Sequence, residues 1–363
     1  MFHRSCLSLR CGLLFLVLVA AGCATAPKQT PDSAARIRAE LRARMPTDIA
    51  DREGWINDVE RAFSSLEVTP TVAHICAALA VTAQESGYEA DPVVTGLARI
   101  AREEITRRAA RYHVPRFALD AALKLKSSDG RSYDERLRQV RREGELSAIF
   151  EDLIERVPLG RRLFADANPV HTGGPMQVSI AFAETWAKHH PYPYATTASV
   201  RREVFTRRGG MYFGIARLLA WPVSYDRMIH RFADYNAGFH ASRNAAFQNA
   251  LNIASDSHLA LDGDLVRYDG KPGDTEAVAL ALAPRLGLSE RKIRSALRDG
   301  QELRFEDSAL YRKTFELAER VAGKPLPRAM LPQIALQSPK ITRQLTTAWF
   351  AERVDARYRA CLR

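Results

Sequence analysis

Apolar residues recur at three- and four-residue spacing along almost the whole chain, and this periodicity constrains the fold more than any other feature. In the segment 72–85, for example, Ile75, Cys76, Leu79 and Ala83 share one helical face. No segment shows sustained alternation of apolar and polar residues between hairpin turns. The sequence therefore predicts a mainly α-helical protein.

Helical patterns extend over most of the 363 residues, and no internal repeat or heptad array interrupts them. The turn-rich stretch 261–274 differs and has the composition of a possible short hairpin. The predicted helices cover residues 34–44, 55–66, 72–85, 94–111, 116–126, 133–156, 176–189, 199–206, 213–220, 225–234, 242–253, 276–284, 289–298, 308–322 and 340–358.

The amino terminus has the pattern of a secretory signal. Arg4 and Arg10 precede an apolar run over residues 12–21, which is too short for a stable membrane span. The small residues that lead into Cys23 resemble a lipobox, although Ala20 stands where leucine is usual. We expect a signal at residues 1–22 and acylation of Cys23. The alternative is a plain signal peptide with an incidental cysteine.

The residues that follow Cys23 indicate the destination of the chain. Residues 23–32 are small, polar and rich in proline, as in a tether. Ala24 is not the aspartate that retains bacterial lipoproteins in the inner membrane. We therefore expect a lipid-anchored protein of the outer membrane that faces the periplasm.

Two cysteines remain once the signal and the lipidated residue are set aside. Cys6 and Cys11 would leave with the signal, so Cys76 and Cys361 would be the remaining pair in an oxidising compartment. One hypothesis is a disulfide between them. The other is two unrelated small core residues, because Cys76 lies in an apolar stretch.

The chain is basic, with 53 Lys and Arg against 42 Asp and Glu and a formal net charge of +11. Loss of Arg4 and Arg10 with the signal would leave +9. Nine basic and three acidic residues fall between Trp186 and Ala250, close to two of the motifs described next. A secreted chain without a nucleic-acid motif favours an acidic glycan polymer over nucleic acid as its partner.

Three short segments carry residues suited to chemistry. In the first, an apolar helix is predicted to end at Glu85, where desolvation would favour a protonated carboxyl for general acid work. The second, from Gly173 to Gln177, has two glycines for a tight turn and Pro175 at an expected helix start. The third ends at Gly238 with Tyr235 and Asn236 in the last helical turn. Each also has a plain structural interpretation: a solvated helix end, a helix start and a helix C-cap.

In this order the three segments resemble the signature of the soluble lytic transglycosylase superfamily, which has a goose-type lysozyme fold. A softer match is the glycine-containing helix around residues 210–219. The resemblance implies a lysozyme-like helical domain in which Glu85 is the catalytic acid and Tyr235 orients it. It implies no cofactor and no metal. The residues expected to line the sugar subsites are Ser86, Gly174, Met176, Gln177 and Asn236.

The chain departs from the family pattern in three places. Pro175 replaces a leucine, Asp234 replaces an alanine, and 89 positions separate Glu85 from Gly174 where a couple of dozen are usual. The long gap implies an inserted helical subdomain at about 91–168. We expect the lysozyme-like domain to cover 33–260, with a mostly helical extension at 261–363 packed on the same body.

The expected activity is cleavage of the bond between N-acetylmuramic acid and N-acetylglucosamine in peptidoglycan, giving 1,6-anhydro ends. A lysozyme-like hydrolase on the same fold would use the same Glu85 and differ only in its product. The alternative from another class is an outer-membrane lipoprotein that binds peptidoglycan or a protein partner without catalysis. Pro175 and the long insertion are the features that favour it.

Overall fold

The computed structural model describes residues 31–156, 168–267, 269, 271–336 and 345–363, and within them it is mainly helical, as expected. The predicted signal and Cys23 lie outside these residues. The α-helices are α1 (Pro31–Arg44), α2 (Arg52–Ser65), α3 (Val72–Glu85), α4 (Leu97–Arg111), α5 (Arg116–Leu123), α6 (Tyr133–Gln139), α7 (Glu143–Arg156), α8 (Ile180–His189), α9 (Val200–Val204), α10 (Arg207–Leu219), α11 (Met228–Ala237), α12 (Ala241–Ser255), α13 (Asp274–Ala281), α14 (Ala283–Leu286), α15 (Glu290–Arg298), α16 (Ala309–Ala322) and α17 (Thr347–Leu362).

A 3-10 helix covers Leu303–Asp307, and two antiparallel hairpins complete the described structure. The first pairs β1 (Thr172–Gly173) with β2 (Val178–Ser179), and the second pairs β3 (Ala335–Leu336) with β4 (Leu345–Thr346). No strand is present in the described part of 261–274, where Asp262 instead accepts hydrogen bonds from Gln248 and the Asp264 amide.

The first hydrophobic core surrounds α3. This helix packs against α1, α10 and α17, while α2 packs on α10 and α11 on α17. Buried side chains from these helices include Phe63, Ile75, Phe213, Phe232 and Val354. The carboxyl-terminal helix α17 thus belongs to the core that contains the amino-terminal helices.

A disulfide joins α17 to α3. The Cα atoms of Cys76 and Cys361 lie 5.6 Å apart and their sulfur atoms are bonded. Cys76 is fully buried on α3, and Cys361 is partly buried near the end of α17. The covalent link and the helix packing therefore connect the same two elements.

A second core begins on α12 and continues through α13 to α16. Phe247 on α12 meets the ring of Phe305 edge-on at a centroid distance of 5.0 Å and lies near Tyr311 and Phe315. Because α12 also follows directly after α11, it ties the second core to the first.

The predicted insertion contains α4 to α7, but the single helix predicted for 133–156 is wrong. The chain leaves the helical conformation at Val140, and the Val94 amide donates to the Arg141 carbonyl at 2.8 Å. The carboxylate of Glu145 accepts hydrogen bonds from the Arg141 and Arg142 amides. The long-range bond from Val94 and the local bonds to Glu145 together divide the region into α6 and α7.

Candidate active site

Glu85 is held at the carboxyl end of α3. Thr71 caps the start of this helix by accepting a hydrogen bond from the His74 amide at 3.1 Å, so the bounds 72–85 are those predicted. Ser86 ends it, with its amide and its hydroxyl both donating to the Thr82 carbonyl at 3.1 Å. Glu85 is half-buried at this fixed position.

The chain reverses just after Glu85 through two residues with positive φ. Gly87 has φ 57° and Tyr88 has φ 67°. Tyr88 is anchored, because its hydroxyl donates to the Leu79 carbonyl at 3.2 Å and its ring packs edge-on against Trp55. The turn therefore directs the chain away from the end of α3, where Glu85 is located.

The second motif forms a hairpin turn, and the predicted helix start at Met176 is wrong. The turn from Gly174 to Gln177 connects β1 and β2, and the Gln177 amide donates to the Gly174 carbonyl at 3.0 Å. Gly174 has φ 74°, and a Cβ on it would lie 2.0 Å from the carbonyl oxygen of Val204. Helix α8 begins four residues later than expected, with Ser179 as its cap.

This turn packs against two glycines of α10. A Cβ on Gly210 would lie 2.2 Å from Pro175, and one on Gly214 would lie 2.4 Å from the sulfur of Met176. The close approach requires a residue without a side chain at both positions. The glycine-containing helix and the Gly-Gly-Pro-Met segment, recognised separately in the sequence, are packed on each other.

Tyr235 connects the third motif to the second. Its hydroxyl donates to the main-chain carbonyl of Met176 at 2.8 Å. Burial raises the pKa of Tyr235 well above its usual value, the negative charge of Glu85 raises it further, and Arg217 opposes them. The phenol therefore stays protonated, and it lies within electrostatic range of Glu85. The second and third motifs are therefore in contact at this tyrosine, and Glu85 of the first motif acts on it through its charge.

The other predicted site residues occupy different environments. Asn236 is exposed at the end of α11, and Gln177 is half-buried with its amide oxygen accepting a hydrogen bond from Thr172. Ser86 donates its hydroxyl to its own helix. Gly174 is buried against the Val204 carbonyl, contrary to the expected lining. Met176 is also an exception, because its side chain is fully buried. It contributes its carbonyl and its packing, and its thioether is not available to a ligand in this structure.

A buried polar group beside Tyr235 was not predicted from the sequence. Asp234 is 0% exposed and accepts hydrogen bonds from the Tyr225 hydroxyl and from the Ser242 amide at 2.7 Å. Arg217 donates to the Asp234 main-chain carbonyl at 2.6 Å, and its guanidinium lies 4.0 Å from the centre of the Phe239 ring. The replacement of an alanine by Asp234 was the only sequence signal for this group.

We expect Asp234 to make stability fall as pH rises. Burial raises its pKa to about 7 despite the opposing hydrogen bonds from Ser242. Between about pH 4 and pH 7 the folded chain therefore binds a proton that the unfolded chain has lost. Asp234→Asn is neutral at every pH, so the free energy of unfolding of the wild type should fall relative to the variant by roughly 2 to 4 kcal/mol across this range.

Urea denaturation of both proteins at pH 4, 6 and 8 measures this difference. Titration of other groups, including His240, cancels because both proteins contain them. Glu203→Gln provides a contrasting control: although burial alone would raise the pKa of Glu203, hydrogen bonds from Arg208, Tyr192 and Thr196 lower it. The free energy of unfolding of the wild type relative to Glu203→Gln should therefore rise, not fall, as pH rises. Parallel curves for the wild type and Asp234→Asn would contradict the assignment.

The basic excess between 186 and 250 is mostly neutralised or buried. Arg207 pairs with Asp51 and Asp58, and Arg202 pairs with Glu151, all three acids lying outside that segment. Pairs within the segment or close to it involve Arg201 with Glu184 and Arg208 with Glu203. The buried or partly buried side chains of Arg217, Arg231 and Arg243 donate to main-chain carbonyls. Most of the basic residues counted in this segment are therefore held in ion pairs or in buried contacts.

Two further properties concern the described ranges alone. No group of three or more His, Cys, Asp or Glu side chains there has an arrangement that could hold a metal ion. No helix there has both the length and the apolar composition needed to cross a membrane.

Comparison with known proteins places the chain in a family. Residues 48–363 match the family described as "Protein of unknown function (DUF1615)". The chain is 53% identical over 354 residues to "Uncharacterized protein YaiW" of Escherichia coli K12, which covers 96% of this chain and 97% of that protein. No solved structure matches the chain. Because the family match extends over far more than half of its length, the chain belongs to the DUF1615 family.

Proposed function

We propose that this protein is a peptidoglycan lytic transglycosylase with a lysozyme-like helical domain, anchored by a lipid on Cys23 at the outer membrane and facing the periplasm. The observation that carries the proposal is the hydrogen bond between the second and third motifs at a tyrosine on which the charge of Glu85 also acts. Tyr235 donates to the Met176 carbonyl and lies within the electrostatic range of Glu85. A helix end, a hairpin turn and a helix C-cap with only structural roles would not need to lie near one another.

Glu85 supplies both proton transfers in the proposed reaction. Its protonated carboxyl donates to the oxygen between N-acetylmuramic acid and N-acetylglucosamine as the bond from carbon 1 to that oxygen breaks. The resulting carboxylate accepts the proton of the muramyl 6-hydroxyl while that oxygen attacks carbon 1. The 1,6-anhydro ring closes, Glu85 regains its proton, and no water is consumed.

A single carboxylate is sufficient for this chemistry. The acetamido group of the substrate can stabilise the positive charge that develops at carbon 1, so a second catalytic acid is not required. Asp234, the nearby acid, is completely buried and bonded within the protein, and we assign it no contact with substrate.

Tyr235 is proposed to position Glu85 rather than to react. Its hydroxyl has one proton, which it gives to the Met176 carbonyl. The oxygen lone pairs remain able to accept a hydrogen bond from the protonated carboxyl of Glu85, the form that the first step needs. The same hydroxyl fixes the hairpin turn whose Gln177 we propose as a sugar contact, together with Ser86 and Asn236.

Digestion of purified sacculi by the mature protein tests the proposal directly. We expect soluble fragments that end in 1,6-anhydro-N-acetylmuramic acid. Mass spectrometry identifies them because each is lighter than its hydrolysed equivalent by one water molecule, about 18 mass units. Fragments with reducing ends would assign hydrolysis to the same site. Binding to sacculi without any release would instead favour the non-catalytic lipoprotein.

A further inference from the structure

The turn between α4 and α5 presents an apolar surface to solvent. All residues from Arg111 to Phe117 are exposed, and we call this segment the α4–α5 tip. Phe117 is 78% exposed, Tyr112 67% and Val114 40%. Single exposed apolar side chains are common on protein surfaces. Several large ones exposed together indicate a site that binds a protein or a membrane.

The exposure is fixed by the backbone of the tip. The His113 amide donates to the Ala110 carbonyl at 3.0 Å, and the Val114 amide donates to Ala109 at 2.8 Å. His113 has φ 56°, and Pro115 then leads directly into α5. Such bonds are those of a closed helix C-cap, so the tip is a defined structure in which Tyr112 and Phe117 point away from the core.

The tip is also strongly basic. Residues 105–119 contain four arginines and no acidic residue. Arg107 and Arg108 contact Glu104 one turn earlier on α4. Within the described ranges, Arg111 and Arg116 form no ion pair, and both are exposed at the tip itself. The apolar side chains are thus flanked by positive charge.

A cavity of about 480 Å³ lies between α4 and α5 immediately behind the tip. Its lining combines apolar and charged residues: Ala109, Ala110, Val114 and Leu119 with Thr106, Arg102, Arg107, Arg116 and Glu103. Apolar side chains thus lie beside three guanidinium groups and one carboxylate, an excess of positive charge that fits a group that is apolar on one side and anionic on the other.

We propose that the α4–α5 tip docks on the surface of a bilayer that contains anionic phospholipid. Aromatic side chains are favoured at the boundary between head groups and acyl chains, and arginines beside them attract anionic head groups. A stable protein interface needs about 20 to 30 residues on each side, many more than this tip supplies. Shallow insertion into a bilayer needs only a few. The proposal is independent of the proposed enzymatic activity.

Vesicle flotation tests the docking with an unlipidated form of the protein that begins at Ala24. This form contains every described residue and lacks the acyl chains that would bind vesicles by themselves. We expect it to float with vesicles of phosphatidylglycerol and phosphatidylcholine and not with phosphatidylcholine alone. Substitution of Arg111 and Arg116 by glutamine should weaken binding about thirtyfold. Substitution of Tyr112 and Phe117 by serine should weaken it about tenfold or more.

Val321→Ser serves as the matched control, since Val321 is 55% exposed on α16 and lies outside the tip. It should bind as the wild type does, and all variants should have unchanged thermal unfolding because the replaced side chains are exposed. Absence of flotation with anionic vesicles, or equal binding by the wild type and the serine variant, would overturn the proposal. Concentration-dependent dimerisation that the serine variant loses, without flotation, would assign the tip to self-association and would overturn it too.

Discussion

Glu85→Gln is expected to reduce the release of soluble fragments from purified sacculi by about a thousandfold or more, because general acid and base catalysis each contribute about 10² to 10⁴. Glutamine keeps the size of the side chain and a hydrogen-bonding carbonyl. It removes the proton that the leaving oxygen must receive and the carboxylate that must take the 6-hydroxyl proton. The rate of appearance of anhydro fragments, followed by mass spectrometry, measures the loss.

Glu89→Gln is the matched control, because it removes the same charge from a residue that is also near the end of α3. The Glu89 carboxylate is largely exposed and lies 3.8 Å from the guanidinium of Arg142. We expect full activity from this variant. The thermal unfolding of Glu85→Gln should also remain close to that of the wild type. This comparison separates loss of chemistry from loss of fold.

Equal and negligible release by the wild type and Glu85→Gln would contradict the enzymatic proposal, provided that both still sediment with sacculi. That outcome would favour a lipoprotein that binds peptidoglycan without cleaving it. It would leave the α4–α5 tip proposal intact, because vesicle flotation does not depend on Glu85.

The parts of the fold set by local sequence were predictable. Thr71 supplies a hydroxyl cap and Ser86-Gly87 ends the helix, so both ends of α3 follow from neighbouring residues. The start of α8 was misplaced because local sequence does not determine it. Pro175 is compatible with a first helical turn and with a hairpin turn, and only its contact with Gly210 on α10 distinguishes them.

Burial of charge could not be predicted because it depends on tertiary packing. The sequence shows Arg217 and Arg243 as two more basic residues, yet both are buried. Arg243 donates to the carbonyls of Gly300 and Glu302 in the second core, more than 50 residues away. The convergence of Glu85, Tyr235 and Met176 was expected from the family resemblance alone, since periodicity gives helices without giving their arrangement.

Loss of the Cys76–Cys361 disulfide is expected to reduce the stability of the chain strongly. The bond closes a loop with a sequence separation of 285. Restricting the unfolded chain by a loop of this length should contribute about 5 kcal/mol to the free energy of unfolding. Replacement of both cysteines by alanine should remove most of this, as measured by urea denaturation. Amide hydrogen exchange should become faster in α17, which packs on α3.

The two single variants decide whether the effect belongs to the bond. Cys76→Ala and Cys361→Ala each remove the same disulfide, so each should lose nearly as much stability as the double variant. Two free thiols would behave differently. In that case Cys76→Ala would reduce the free energy of unfolding more than Cys361→Ala, because Cys76 is fully buried and Cys361 only partly buried. The two reductions would add in the double variant. Thiol titration of the denatured, unreduced protein gives an independent answer, because two reactive thiols would exclude the bond and with it the covalent link between the first core and the end of the chain.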